Sequence, residues 1–322
     1  MNKTPKLRKF EPTFSEYEAI VRVWNAANPD DPGFVETWRH WDQHREPERL
    51  FTRYVAVHKT DIVGYGYSVR TDPIANVFRF AIYFLPQFRT SEFIHDFYSF
   101  IMESCLDSEP TALIVQTHED ETKKIEWLRN HVFEETMRYP RSILDVSAFD
   151  PQIFTKTRSN ILEQGIEILP LAELAQRDFE WKRKVYDLEM KLIEDVPRPS
   201  EFRPPPFDNY VKNEFEAPQF MPDLWLIALD GDFLVGMSSL FKSGDDIESL
   251  ETGLTGVRRE YRRRGLASAL KSQNIEKAKI LGTKQIQTSN EESNPMFQLN
   301  LRLGFEAQPA EVDWKKTLDN DN

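Results

Sequence analysis

The chain has one cysteine, Cys105, among 322 residues, which excludes a disulfide scaffold and a cysteine-ligated metal cluster. No apolar run approaches the roughly 18 residues that a membrane span needs. The N-terminal stretch MNKTPKLRKFEPTFSE is basic but lacks the apolar segment of a secretory signal. Histidine is missing from the second half: His40, His44, His58, His95, His118 and His131 all precede residue 132. A histidine- or cysteine-based mechanism is therefore not expected there. Basic charge is in deficit, with 41 Lys and Arg against 53 Asp and Glu. The resulting net charge of -12 argues against nucleic-acid binding through a generally basic surface.

What is present suffices for a core. Hydrophobic residues make up 40% and charged residues 29%, and the length suits two domains of about 150 residues each. The reading is a soluble, cytoplasmic, two-domain protein with no membrane and no nucleic-acid partner. The charge is unevenly spread. Between Arg258 and Lys284 stand nine Lys or Arg and two acids, leaving -19 for the rest of the chain. An acidic body with one basic focus suits a small polyanionic ligand together with a cationic partner. A solvated basic helix face is the plainer alternative.

The chain repeats itself. YVAVHKTDIVGYGYS (54–68) reads like LIALDGDFLVGMSSL (226–240), with Val63-Gly64 and Val235-Gly236 offset by 172. Arg89 and Arg262 are offset by 173, and Phe133 and Phe305 by 172. Three landmarks in order, with almost no drift, indicate a tandem duplication. The expected domains are 1–150 and 166–322, joined by a linker over 151–165. In the second copy, strands are predicted near 223–230, 232–242, 246–257, 283–288 and 305–317. Helices are predicted over 171–194 and 263–281, the latter burying Ala267, Leu270, Ala278 and Leu281, with Asn274 the only interruption on that face and Gly282 as its stop. Residues 197–222 hold seven of the 20 prolines and predict a stiff loop across one face of the second domain.

The informative stretch is Glu251-Thr-Gly-Leu-Thr-Gly-Val257-Arg-Arg-Glu-Tyr-Arg262-Arg-Arg-Gly265-Leu-Ala267. A strand ends at Val257, a basic turn follows, and a helix begins. Helix N-termini present unpaired N–H groups and the positive end of the dipole, which bind phosphate oxygens. Gly265 permits close approach of the backbone, small Ala267 does the same, and the arginines add charge-assisted bonds. Gly253 and Gly256, within a strand otherwise rich in Leu and Thr, predict a β-bulge.

About forty residues on, TSNEESNPMFQLNLRLGF (288–305) gives a strand end, an Asn-rich turn, a short helix and Leu-Gly-Phe. Here the chain resembles the GCN5-related N-acetyltransferase (GNAT) superfamily, and its tandem-domain bacterial members in particular. Arg262-Arg-Arg-Gly265-Leu-Ala267 is similar to that family's Gln/Arg-x-x-Gly-x-Gly/Ala signature. The resemblance implies an α/β (α+β) fold of two tandem acyltransferase domains, each a twisted mixed β-sheet flanked by helices. It also implies acetyl-CoA as cosubstrate, with no metal. By the same resemblance, the backbone at Thr255, Gly256 and Val257 bonds the pantetheine arm. Arg262, Arg263, Arg264, Gly265, Leu266, Ala267 and Ser268 hold the pyrophosphate, and Asn294 lies near the cofactor.

Transfer of an acyl group needs a deprotonated amine and a stabilised carbonyl oxygen. A bulge amide at Leu254 or Thr255 is placed to serve as oxyanion donor. With no histidine in the second half, the base is sought among carboxylates. Glu251 sits six residues before Val257, so strict alternation sets it on one strand face with Gly253, Thr255 and Val257. The position resembles that of the general-base glutamate in histone-type members of the superfamily; a solvent-facing strand residue or an ion-pair partner is the other reading. Asn300 stands where the superfamily often has a tyrosine general acid, which leaves the acid unassigned. Asp195 either contacts a cationic substrate or caps a turn before Pro197.

The first domain looks like a degenerate copy. Thr90-Ser91-Glu92-Phe93 replaces the glycine turn, and only three of the 12 glycines precede residue 134. Aromatic-rich RHWDQHRE (39–46) either lines a cleft or forms an amphipathic helix buried on its Trp side. The expectation is an acetyltransferase acting on a primary amine of a small cationic acceptor, as a monomer or homodimer. The rival is a non-catalytic acyl-CoA-binding or scaffolding protein.

Overall fold

The expected strands of the second half form close to their predicted bounds. A computed structural model describes residues 4–29, 32–198, 202–243 and 247–318. Its contacts divide the chain into two units, Met1–Tyr139 with Pro309–Asn322, and Pro140–Arg198 with Phe202–Gln308. Among the described residues, no helix is long and apolar enough to cross a membrane. No group of three or more His, Cys, Asp or Glu among them is placed to hold a metal ion.

The first unit orders its strands β1 (Lys6–Lys9), β2 (Thr52–His58), β3 (Asp61–Asp72), β4 (Val77–Phe84), β5 (Ala112–His118) and β12 (Glu306–Thr317). Only the β4–β5 pair is parallel. Its helices are α1 (Phe14–Ala27), α2 (Val35–Gln43), α3 (Ser91–Leu106) and α4 (Thr122–Asn130). The 39–46 segment begins on α2 and runs past its end at Gln43, and its own Trp41 is exposed; the tryptophan that α2 buries is Trp38, one residue before the segment, so the expected Trp-side burial does not hold. The last strand of the sequence belongs here, paired with β5 from Glu311↔His118 to Thr317↔Ala112. Arg79 fixes it with two hydrogen bonds, of 2.7 and 2.6 Å, to the fully buried carboxylate of Asp313.

The second unit runs β6 (Glu134–Asp145), β11 (Gln285–Ser289), β10 (Ser249–Val257), β9 (Phe233–Lys242), β8 (Trp225–Asp230) and β7 (Ile166–Pro170). Here β10–β11 is the parallel pair. Its first strand in that order, β6, follows the first unit's last helix in sequence and pairs with β11. The units therefore differ from the simple halves 1–150 and 166–322, because each is closed by a strand from the far side of the repeat boundary. Alternation identifies a strand but does not name its partner.

Helices of the second unit depart from expectation for local reasons. The predicted 171–194 helix is two, α6 (Leu171–Arg177) and α7 (Trp181–Ile193). Asp178 leaves the helical region, and its carboxylate accepts a bond from the Glu180 amide, an Asx-type turn that competes with helix. The supposed linker holds α5 (Thr155–Glu163), whose Arg158 bonds Ser272 and Glu276. The proline-rich stretch is partly folded: residues 199–201 lie outside the described residues, while α8 (Phe207–Tyr210) and a π-helical turn (Val211–Phe215) bury Tyr210 and Phe215.

The long helix α9 (Leu266–Ile280) starts three residues later than predicted, because Arg263 and Gly265 take positive φ of 62° and 89°. Its buried face is rotated from the expected one: Leu281 is exposed, while Leu266, Ala269, Leu270, Asn274, Ile275 and Ala278 are buried. Asn274 is tolerated there because its amide nitrogen donates to the carbonyls of Leu224 and Ser238. Gly282, at φ 90°, ends the helix in the left-handed conformation, and the Thr283 amide returns to the Ala278 carbonyl. Helix α10 (Pro295–Arg302) then leads into β12.

Candidate functional site

Strands β10 and β11 pair only at Ser249↔Gln285, Leu250↔Ile286 and Glu251↔Gln287, and then separate. On its other side, β10 carries the predicted bulge. The register passes from Thr252↔Leu240 to Thr255↔Ser238, so one extra residue of β10 lies opposite Ser239. The glycines are required there: a Cβ on Gly253 would meet the Phe241 ring at 2.3 Å, and one on Gly256 would meet Leu192 at 2.9 Å.

A cleft of about 420 Å³ opens where the strands part, a volume within the range of small-ligand sites. One wall is β10 from Thr252 to Val257, the other Thr288, Ser289 and Asn290, and α7 contributes Leu192. The helix α9 presents Ala267 and Lys271 to it, and Arg262 stands at the turn before that helix. Its N-cap is Gly265, which has no side chain to bond the first amides; the first intrahelical bond to Gly265 comes from the Ala269 amide. The amides of Leu266, Ala267 and Ser268 thus lack intrahelical acceptors and form a ready anion site.

The first unit has the same construction, closed. Arg89 Nε donates to the Phe84 carbonyl as Arg262 Nε does to the Val257 carbonyl, five residues back in each case. There the helix follows at once, and Thr90 caps it by accepting from the Phe93 amide. At the 173-residue offset from Lys271 stands Tyr98, whose buried ring stacks on that of Trp127 with centroids 4.5 Å apart.

Of the sequence-predicted residues, Leu254, Thr255, Gly256, Val257, Arg262, Ala267 and Asn294 line the cleft. Gly265 sets the helix start, while the Leu266 side chain is in the core, so any contact it makes to a ligand is through its backbone. Arg263 and Arg264 are exposed, and Ser268 is half-buried. Asn294 caps α10 by accepting from the Met296 amide. Glu251 is exposed at the last β10–β11 pair and does not line the cleft. The bulge also corrects its expected face. Strict alternation fails between Thr252 and Thr255, so Glu251 does not share a face with Thr255 and Val257; those two are buried.

Asp195 lines the cleft, but neither expected role describes its carboxylate. It forms ion pairs with Arg259 and Arg262; the Arg259 guanidinium, followed by that of Arg262, holds its pKa down to about 2. Sequence reasoning missed Leu192, Val196, Thr252, Lys271 and the 288–290 wall. For Lys271 a signal existed: it stands four residues after Ala267, at helical spacing on the same face. It is 3% exposed, and burial lowers its pKa to about 7.

Residues 183–305 match the acetyltransferase (GNAT) family. A sequence search among curated proteins returns no match. Among solved structures, a GCN5-related N-acetyltransferase from Sphaerobacter thermophilus is similar, with TM-score 0.68 at 17% identity over 97% of this chain and 95% of that one. A tandem GNAT protein from the clavulanic acid biosynthesis pathway gives TM-score 0.72 at 17% identity, over 98% and 100%. A glucosamine N-acetyltransferase region of a fungal multi-domain enzyme gives 0.67 at 11%, over 96% and 38%.

Proposed function

Because the chain carries a GNAT-family domain over residues 183–305 and has the tandem GNAT fold, we propose that it is an acetyl-CoA-dependent N-acetyltransferase whose second unit performs the transfer. The acceptor in this reading is a primary amine of a small cationic molecule in the cytoplasm, and the protein acts as a monomer or homodimer. The observation that carries the reading is the parting of β10 from β11 above an uncapped helix N-terminus. The fold by itself supports acyl transfer; the acceptor class rests on the charge of -19 outside the 258–284 segment.

The residues present fit acetyl-CoA. The amides of 266–268 and the side chain of Arg262 would hold its diphosphate, since both offer donors to phosphate oxygens at one end of the cleft. The β10 backbone at Thr255, Gly256 and Val257 lies along the same cleft, where pantetheine amides would find partners. When bound, the cofactor supplies an acyl thioester. A bulge amide at Leu254 or Thr255 would donate to the thioester carbonyl oxygen, and Glu251, exposed at the end of the paired register and outside the cleft lining, would take the proton of the acceptor amine on the solvent side. In the first unit, the Thr90 cap and the stacked Tyr98 and Trp127 argue against a second cofactor site.

Asn300 favours a second reading, an acyl-CoA-binding protein without turnover. It is fully buried and bonds Asn290 at 2.6 Å, in the place where a tyrosine acid is usual in the superfamily it resembles. Calorimetric titration with acetyl-CoA tests the cofactor, with one site per chain expected; no binding would overturn both readings. Thiol release across a panel of small amines separates them. Release above the rate of the cofactor alone supports the transferase, and none across the panel supports the binding protein.

A further inference from the structure

Among the described residues, Lys271 is the one cation lining the cleft with no carboxylate partner. It is 3% exposed, reaches the cleft from α9, and has its Nζ 5.3 Å from the centre of the Phe305 ring. Phe305 packs in the same core cluster as Leu250 and Ile286. Those two residues face each other one step before the last β10–β11 pair. Lys271 stands more than a turn of α9 beyond the uncapped amides at its start, so its ammonium enters the cleft at a distance from the end held by those amides and Arg262.

The cleft that Lys271 reaches carries few other charges. The cleft's other charged side chains are Asp195 and Arg262, and these are paired with each other. The facing wall offers Thr288, Ser289 and Asn290, β10 offers Thr252, and Asn300 of α10 stands behind that wall, bonded to Asn290. Glu251 on β10, Arg302 on α10 and Glu306 on β12 are exposed and do not line the cleft. The Thr252 hydroxyl and the Asn300 side-chain carbonyl oxygen are buried without a hydrogen-bond partner. An isolated buried ammonium is costly unless something arrives to pair with it. With phosphates at the end held by the amides, the part of the cleft that Lys271 enters receives the reactive tip of an extended ligand.

Resting on the acetyl-CoA reading, we propose that Lys271 is the proton donor to the thiolate that departs when the acyl group is transferred. The acceptor nitrogen attacks the thioester carbonyl, the C–S bond breaks with its electron pair going to sulfur, and a Lys271 Nζ–H proton passes to that sulfur. The amine nitrogen loses one proton on becoming an amide; taken by Glu251 and passed to solvent, it offsets the proton that restores the ammonium. Atoms and charge balance without a further reactant. A lysine whose burial brings its pKa to about 7 is matched to such a transfer near neutral pH. Lys271 thereby supplies the acid that Asn300 does not.

The test needs no acceptor. Coenzyme A itself is bound to the wild-type protein and to Lys271→Met and Lys271→Arg, and the thiolate is followed by ultraviolet absorbance as pH is raised. Paired with the thiolate, the Lys271 ammonium keeps its proton above its own pKa of about 7, so the thiolate appears about one pH unit or more below free coenzyme A. The expected result is that shift in wild type and in Lys271→Arg, and its loss in Lys271→Met, with calorimetric affinity for coenzyme A within about threefold in all three. Identical titrations of the wild-type and Lys271→Met complexes overturn the proposal and leave the cofactor reading standing. Loss of coenzyme A binding in Lys271→Met alone also overturns it, by making Lys271 a binding residue. Failure of wild type to bind coenzyme A overturns the cofactor reading first.

Discussion

The Asp195 carboxylate is joined to the Arg262 guanidinium, 67 residues away in sequence, while Arg262 Nε donates to the Val257 carbonyl at 3.0 Å. One arginine thus ties the end of α7 to the end of β10 and to the turn before α9. Arg259 grips the same carboxylate from the other side. The turn that offers donors to an anion already contains one, provided by the protein. Asp195 fixes where Arg262 points and also lowers the positive potential that an anion at this turn would meet.

That arrangement gives a salt-dependent prediction. Asp195→Asn removes the carboxylate's charge and should tighten the binding of inorganic pyrophosphate by a few-fold at low ionic strength, the scale of an exposed ion pair of about 0.2–1 kcal/mol. The difference should shrink as salt is raised, since the groups are exposed to screening. Calorimetry at two ionic strengths measures it. Weaker pyrophosphate binding in the variant at both would mean that fixing Arg262 matters more than relieving the charge.

At Gly265 the backbone decides. The residue holds φ of 89°, and an added Cβ would lie 3.0 Å from Thr157 Cγ2. Gly265→Ala should destabilise the second unit by about 1–2 kcal/mol, the cost of the left-handed region for an L-residue. Gly265→Glu should in addition abolish acetyl-CoA binding by placing a carboxylate beside the amides of 266–268. Thermal unfolding and calorimetric titration read the two effects separately. If Gly265→Glu folds and binds acetyl-CoA at wild-type affinity, the cradle lies elsewhere.

Much of the fold is legible in the sequence. Val-Gly landmarks at a fixed offset marked the duplication, and Gly253 and Gly256 marked the bulge, because close backbone approach leaves glycine few substitutes. The exchange of β6 and β12 between units was not legible: a repeat conserves the order of strands, whereas hydrogen-bond partners are chosen in space. The bulge also hid its own consequence, since one extra residue resets alternation and moves Glu251 off the face of Thr255. Asp195 had no local signal for its arginine partners. Lys271 had one, its spacing from Ala267, but in sequence it was one of nine basic residues in a charged segment.

Glu251 can be tested by a single atom change. If it accepts the amine proton, Glu251→Gln should lower turnover by about a hundredfold or more, with acetyl-CoA affinity unchanged because the residue does not line the cleft. Thiol-release kinetics with the best amine of the panel, beside calorimetry, provide both numbers. Turnover at the wild-type rate removes Glu251 from the mechanism.

The last prediction concerns stability. Glu189 on α7 is buried and accepts a hydrogen bond from the Tyr210 hydroxyl. Burial raises its pKa to about 7, the Tyr210 bond opposing the rise. On the π-helical turn, Glu214 is pushed up to about 8, by burial first and then by the Glu189 charge. A carboxyl whose pKa is higher folded than unfolded binds its proton more tightly in the native state. Its contribution is complete below the unfolded value and is lost as pH rises through the folded one. Between about pH 5 and pH 8, the melting temperature of the wild-type protein should therefore fall, with Glu189 accounting for about 3 kcal/mol of the second unit's stability. Glu189→Gln keeps an acceptor for Tyr210 and has no charge to bury, so at about pH 8 it should melt several degrees higher than wild type. Near pH 5 the two should melt together, and Glu214 should leave the variant a smaller slope of the same sign. Coincident melting curves across the range would show that Glu189 ionises as freely in the folded protein as in the unfolded chain.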